Sequence, residues 1–183
     1  MSSVPTSLEF ALLGLVRMHP QSGYDLRKTF SSTPLRAYSD SPGSIYPALR
    51  RMEAKQWIVA TAEKDSNRKR QVYRVTATGK KALVYWLQKP VTRDDIVWRL
   101  NDLILRFAFL DGNVPRRATL RFLGEFDREL DSYLRDLRSY SHDSGMNKSI
   151  NTGTLAFQFG VEGFEANLAW VRRVRKQLEG DQP

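Results

Sequence analysis

SDSPGSIYPALRRMEAKQWIVATAEKDSNRKRQVYRVT, residues 39–76, is the stretch that decides the fold. Its first part has helical periodicity. Ile45, Leu49 and Met52 recur on one face with Ala48 beside them, while Pro47, Arg50 and Ala54, flanked by Tyr46 and Arg51, lie opposite. Residues 57–62 and 71–76 are β-branched, aromatic and alternating, and the segment between them contains Asp65-Ser66-Asn67, a turn former. A short helix edged with arginines therefore runs directly into a β-hairpin whose turn holds Lys64, Arg68, Lys69 and Arg70. That order is the layout of a winged helix-turn-helix, with the helix as reader and the hairpin as wing. Pro47 has no N–H to give, which places it in the first helical turn and predicts Ser44 as the N-cap. A start at Ser41, with Pro42 as first helical residue, would leave Pro47 deep enough to kink the helix.

Upstream, Thr6 and Glu9 read as a capping box, and Leu8, Ala11, Leu12, Leu15 and Val16 repeat at helical spacing, predicting a helix over about 7–18. His19-Pro20 ends it. Ser22 followed by Asp25 and Leu26 starts a second helix, to about Phe30, and residues 31–43 read as a loop. Downstream of the wing, Thr76 caps a fourth helix with Ala82, Leu83 and Trp86 that Pro90 ends.

Beyond Lys89-Pro90 the pattern is wholly helical. One helix from about residue 92 carries Ile96, Leu100, Leu103, Ile104 and Phe107. A second, from Pro115 to about Tyr140, places Leu123, Phe126, Leu130, Leu134 and Leu137 near coiled-coil spacing. After a break at 141–152 the last, about 153–179, aligns Phe157, Val161, Phe164, Leu168, Val171 and Leu178. Narrow seams on helices this long imply a partner, so Leu123, Phe126, Leu130, Leu134, Leu137, Phe164, Leu168 and Val171 are the expected dimer contacts. The expected fold is mainly α with a small β-hairpin wing, divided into a DNA-binding domain over 1–90 and a helical dimerisation domain over 91–183.

Charge is distributed unevenly between these halves. Residues 1–90 hold 15 Lys+Arg against 6 Asp+Glu, and residues 91–183 hold 14 against 14, so the net +9 lies entirely in the first half. A one-sided positive field is the footprint of a surface that meets a polyanion, since each cation placed on a phosphate releases a condensed counterion. A merely solvated charged face would scatter its charge over both halves. There is no cysteine, which excludes disulfides and thiolate metal sites and suits a reducing cytoplasm. His19 and His142 are far apart with no carboxylate at ligand spacing, so no metal is expected, and no cofactor either. The apolar run at 10–16 is too short to span a bilayer and no cleavable leader is indicated. No nucleophile–base pair or Gly-rich phosphate loop appears, and Asp94-Asp95 sit at a helix start where carboxylates favour the dipole, so an enzyme is not expected.

In Pro42-Gly43-Ser44-Ile45-Tyr46-Pro47-Ala48-Leu49-Arg50-Arg51-Met52-Glu53, and in Arg70-Gln71-Val72-Tyr73-Arg74-Val75-Thr76-Ala77-Thr78-Gly79, the chain resembles the PadR family of bacterial transcriptional regulators. Leu12-Leu13-Gly14-Leu15 and Ser22-Gly23-Tyr24-Asp25-Leu26 look like that family's first two helices. The resemblance covers roughly the first 88 residues. One departure is Gln56, where the family carries a glycine that would end the recognition helix in the left-handed conformation. The resemblance implies a homodimer, a helical C-terminal dimerisation domain of the long, virulence-activator-like kind, and repression or activation at inverted-repeat operators. It also implies a small aromatic effector in some members.

Carried onto this chain, Tyr46 and Ser44 match recognition-helix contacts, although a half-buried aromatic and a plain cap are the competing readings. Arg50 points away from the Ile45 face and can reach guanine bidentately or clamp a phosphate. Pro47 shares that outward face. Arg51 and Lys55 sit at the helix flank, where phosphate contact and plain solvation compete. Lys64, Arg68, Lys69 and Arg70 suit backbone or minor-groove contact from the wing, and Tyr24 could donate to a phosphate or simply pack. Trp86, Trp98 and Phe107 are candidates for an effector pocket, against core packing for each. The expected function is a sequence-specific regulator, a repressor, binding double-stranded DNA as a dimer. The competing class is a winged helix used only to bind proteins, which has no need of the basic face.

Overall fold

The computed structural model describes residues 4–62, 71–146 and 150–180. Within these, eight helices and one two-stranded sheet form two units, residues 1–87 and 88–183. No helix among the described residues is long and apolar enough to cross a membrane.

In the first unit, α1 (Ser7–Met18) begins with the capping box, in which Thr6 Oγ1 accepts from the Glu9 N–H at 3.3 Å and Glu9 returns the bond to the Thr6 N–H. Ser22 and Asp25 repeat the device for α2 (Gly23–Ser32). The segment after it is not wholly irregular. Thr33 caps a 3₁₀ turn over Pro34–Ala37. Helix α3 spans Pro42–Ala54, and strands β1 (Ile58–Ala62) and β2 (Gln71–Val75) pair antiparallel, with Ile58 opposite Val75 and Ala62 opposite Gln71. Gln21 joins the sheet through paired backbone bonds with Tyr73. Helix α4 (Ala77–Leu87) closes the unit. Phe10, Leu12, Leu13, Leu26, Phe30, Ile45, Leu49, Met52 and Leu83 are buried together as its core.

One local expectation is corrected here. Ser41, not Ser44, caps α3: its hydroxyl accepts from the Gly43 N–H at 3.1 Å, Pro42 is the first helical residue, and Pro47 lies inside the helix. Proline there removes only the bond to the Gly43 carbonyl, and Gly43 is exposed, so water can take that acceptor's place. At the other end, Gln56 adopts the left-handed φ of 56° that a glycine would hold without strain. Its N–H reaches the Glu53 carbonyl at 2.8 Å while the Trp57 N–H reaches back to Met52 at 2.9 Å, closing the helix in a Schellman pattern.

In the second unit, the single helix expected from residue 92 is two: α5 (Arg93–Trp98), capped by Thr92 and Asp95, and α6 (Leu100–Ala108). Arg99 leaves the helical region (φ −136°, ψ 31°) and returns its side chain to Asp95 at 3.0 Å. No glycine or proline marks this break in the sequence. Helices α7 (Arg116–Asp143) and α8 (Thr152–Gly180) run antiparallel against each other. Ion pairs staple their outer edge: Arg172 bridges Asp127 and Asp131, both at 2.8 Å, and Arg138 meets Glu165 at 2.6 Å.

Candidate nucleic-acid interface

The outward stripe of α3 is built by contrast with its inward one. Ile45, Ala48, Leu49 and Met52 are fully buried, which turns Tyr46 (38% exposed) and Arg50 outward. Ser44 and Pro47 are half-buried beside them. Gly23, the first residue of α2, allows the Tyr46 ring to lie against the α2 backbone, because a Cβ at that position would come within 2.6 Å of the ring. The two helices therefore meet closely at the edge of an open cavity of about 550 Å³ lined by Ser22, Gly23, Tyr24, Asp25, Tyr46, Gln71 and Tyr73. Tyr24, 63% exposed, stands at its rim. Burial pushes the Tyr73 phenol above its usual 10, the charges of Glu53 and Tyr46 add to the rise, and Arg50 opposes it. Two exposed tyrosines, Tyr24 and Tyr46, and the exposed Arg50 thus occupy one surface made from the start of α2 and the middle of α3, with the buried Tyr73 of β2 lining the same cavity as the tyrosines.

Arg51 and Lys55 behave differently from either reading offered for them. Arg51 Nε donates to Glu9 Oε1 at 2.7 Å, and Lys55 Nζ donates to Glu9 Oε2 at 2.9 Å. Glu9 itself is completely buried. Burial alone would raise its carboxyl, but the hydrogen bonds from Lys55, Arg51 and Thr6 outweigh it and hold the group below the usual 4.5. Lys55 also lies 5.1 Å from the centre of the Trp57 ring. Sequence reasoning identified Glu9 only as half of a capping box. The one signal that could have exposed its second role is a lone acid at the head of the apolar run in residues 10–16.

Of the wing cations, Lys64, Arg68, Lys69 and Arg70 lie outside the described residues, and Arg74 is exposed on β2. The three aromatic candidates for a pocket have separate surroundings. Trp86 stacks on Phe10 in the core of the first unit, centroids 4.5 Å apart and planes 4° from parallel. In the second unit, Phe107 packs edge-on to Trp170 at 5.3 Å and beside Phe122, whereas Trp98 is 79% exposed. The residues expected to face a second copy are largely occupied within one chain. Leu123, Phe126, Leu130, Leu134, Leu168 and Val171 are buried, while Leu137 and Phe164 are half-buried. Tyr133 packs edge-on against Phe164 at 5.0 Å. The seam of α7 is closed by α8 of the same chain.

Residues 12–84 match the model of the transcriptional regulator PadR-like family. Over 81 residues the chain is 31% identical to the negative transcriptional regulator PadR of Bacillus subtilis (strain 168), which is 44% of this chain and 44% of that protein. Among solved structures, B. subtilis PadR in complex with operator DNA is similar with a TM-score of 0.44 at 19% identity, covering 96% of this chain and 99% of that one. The PadR-like regulator BC1756 from Bacillus cereus gives 0.40 at 22% identity with the same coverage.

Proposed function

Residues 12–84 match the model of the PadR-like family of transcriptional regulators, and from that match we propose that the chain is a sequence-specific DNA-binding repressor that acts as a homodimer on an inverted repeat. The observation that carries the reading is the shared outward stripe of Tyr46 and Arg50 on α3, beside the exposed Tyr24 at the start of α2. A guanidinium held there is free to pair with guanine O6 and N7 in a major groove, and the tyrosine hydroxyls are placed to meet flanking phosphates. The net +9 of the first 90 residues supplies the long-range attraction. Repression follows the reading of the curated relative as a negative regulator.

Two-fold symmetry in an operator requires two copies of the reader. The contact is proposed through the second unit, but not through the seam of α7, which α8 already covers. The α8 face carrying Leu155 (53% exposed) and Phe159 (80% exposed) is apolar surface left open on a single chain. Gly163 and Ala166, on the same face, would let a second helix approach closely.

The test is an anisotropy titration of the full chain against an operator selected from random duplexes and against a scrambled duplex. Arg50→Ala should cost on the order of 1–3 kcal/mol on the operator and relax base preference at the position it reads. Unchanged operator affinity in that variant, or binding indifferent to salt, would remove the DNA-reading assignment and put the protein-interaction module in its place.

A further inference from the structure

Two of the three cations on α3 and its C-cap, Arg51 and Lys55, are ion-paired within the chain before DNA arrives. Arg51 and Lys55, four residues apart in the last turn and at the cap, converge on opposite oxygens of the Glu9 carboxylate at 2.7 and 2.9 Å. The carboxylate side chain is 1% exposed and the Lys55 side chain 14%, whereas the Arg51 side chain, held through its Nε, is 42% exposed, so Lys55 is the more completely withheld of the two. We propose that Glu9 withholds Arg51 and Lys55 from the phosphate backbone, so that α3 discriminates through Arg50 and Tyr46 instead of gripping any duplex through charge. The inference rests on the DNA-binding reading above and assigns Glu9 as a positioning residue for that reading.

The physical argument is a comparison of two partners for the same cations. A phosphate on the DNA surface is solvated and shares its counterions with the salt around it, so its hold on one ammonium is modest and screened. The Glu9 carboxylate has no water to turn to. Drawing Lys55 or Arg51 away would leave a buried charge short of a partner, which is far more costly than a surface contact is favourable. The Thr6 N–H bond to Glu9 Oε2 and the Lys55 contact with the Trp57 ring fix both ends of the arrangement further. Non-specific affinity comes almost entirely from phosphate contacts, so removing two cations per protomer lowers it without touching the groups that read bases. The gain is in the ratio between operator and other DNA.

The experiment measures the salt dependence of binding to a random-sequence duplex by anisotropy for the full-length native chain, Glu9→Gln, and Lys55→Met. Glutamine keeps the shape and an acceptor oxygen but loses the charge. The expected result is a steeper log K against log salt slope for Glu9→Gln, by up to roughly two per protomer, with a smaller operator-to-random ratio. Lys55→Met in the native background should leave the slope as it is, since that ammonium is not on phosphate. An unchanged slope in a Glu9→Gln chain that retains its native circular dichroism overturns the proposal. So does a slope that flattens by about one per protomer in Lys55→Met, and this second reading holds even where Glu9→Gln does not fold. Absence of any salt-dependent binding by the native chain removes the DNA-binding assignment and this proposal with it, whereas a native salt slope that fails to respond as described removes this proposal alone.

Discussion

Gly79→Ala places one methyl group where the structure has no room for it. Gly79 lies in the first turn of α4, and a Cβ built there falls 2.0 Å from the Trp57 carbonyl oxygen and 2.8 Å from its carbon. That is about 1.4 Å short of an ordinary contact. The obstacle is not a side-chain tip that can swing away. The Trp57 carbonyl accepts from the Thr76 N–H at 3.0 Å and from the Thr76 hydroxyl at 3.2 Å, and that same hydroxyl donates to Gln56 at 2.5 Å and accepts from the Gly79 N–H at 3.0 Å. Moving it disturbs the end of α3, the start of β1 and the cap of α4 together. Overpacking against such a point costs about 3 kcal/mol, the upper part of the usual range. Alanine returns about 1 kcal/mol of helix propensity, leaving a net loss of about 2 kcal/mol. For a unit of this size that is a fall of roughly 8–16 °C in melting temperature. Gly124→Ala in α7 is the control. Its Cβ would meet only Arg175 Nη1 at 3.9 Å, so the propensity term stands alone and stability should rise by about 0.5–1 kcal/mol. Calorimetry of the full chain, with hydrogen exchange of peptides from α3, β1 and α4 to localise the Gly79 effect, reads both variants. Gly79→Ala melting at or above the native temperature would refute the reasoning.

Two further outcomes follow from local chemistry. Gln56→Gly should raise stability by about 0.5–1 kcal/mol in urea titrations, because glycine holds the φ of 56° without Cβ strain but gives back part of the gain as unfolded-state entropy; a loss would show that the Gln56 side chain contributes more than its backbone costs. The Glu9 carboxyl is held below its usual 4.5, so the stability it lends is complete above that pH and is lost as the pH falls through the lower folded value. The urea midpoint of the native chain should therefore converge on that of Glu9→Gln as the pH is taken from 7 toward 3, and a gap that stays constant over that range would place the stabilisation elsewhere.

What the sequence determined by itself is what depends on neighbours within four residues or on strict alternation. The capping box at Thr6/Glu9, the helix start at Ser22/Asp25, the apolar face of α3 and the two strands are all of this kind, whereas the left-handed closure at Gln56, which lacks the expected glycine, is seen only in the structure. The outward stripe of Tyr46 and Arg50 follows from the same periodicity, because burying Ile45, Leu49 and Met52 leaves those two no other direction. The start of α3 was less legible, since the penalty for Pro47 inside a helix competes with the gain from capping at Ser41, and packing of the whole helix settles which prevails. The break at Arg99 carries no local breaker. The seam of α7 reads the same in sequence whether its partner is a second copy or α8 of the same chain; only the antiparallel return of the chain decides between them. Arg51 and Lys55 look like free cations until the fold brings Glu9 to them across 42 and 46 residues, and a contact at that separation exists only once α1 and α3 have buried their apolar faces together.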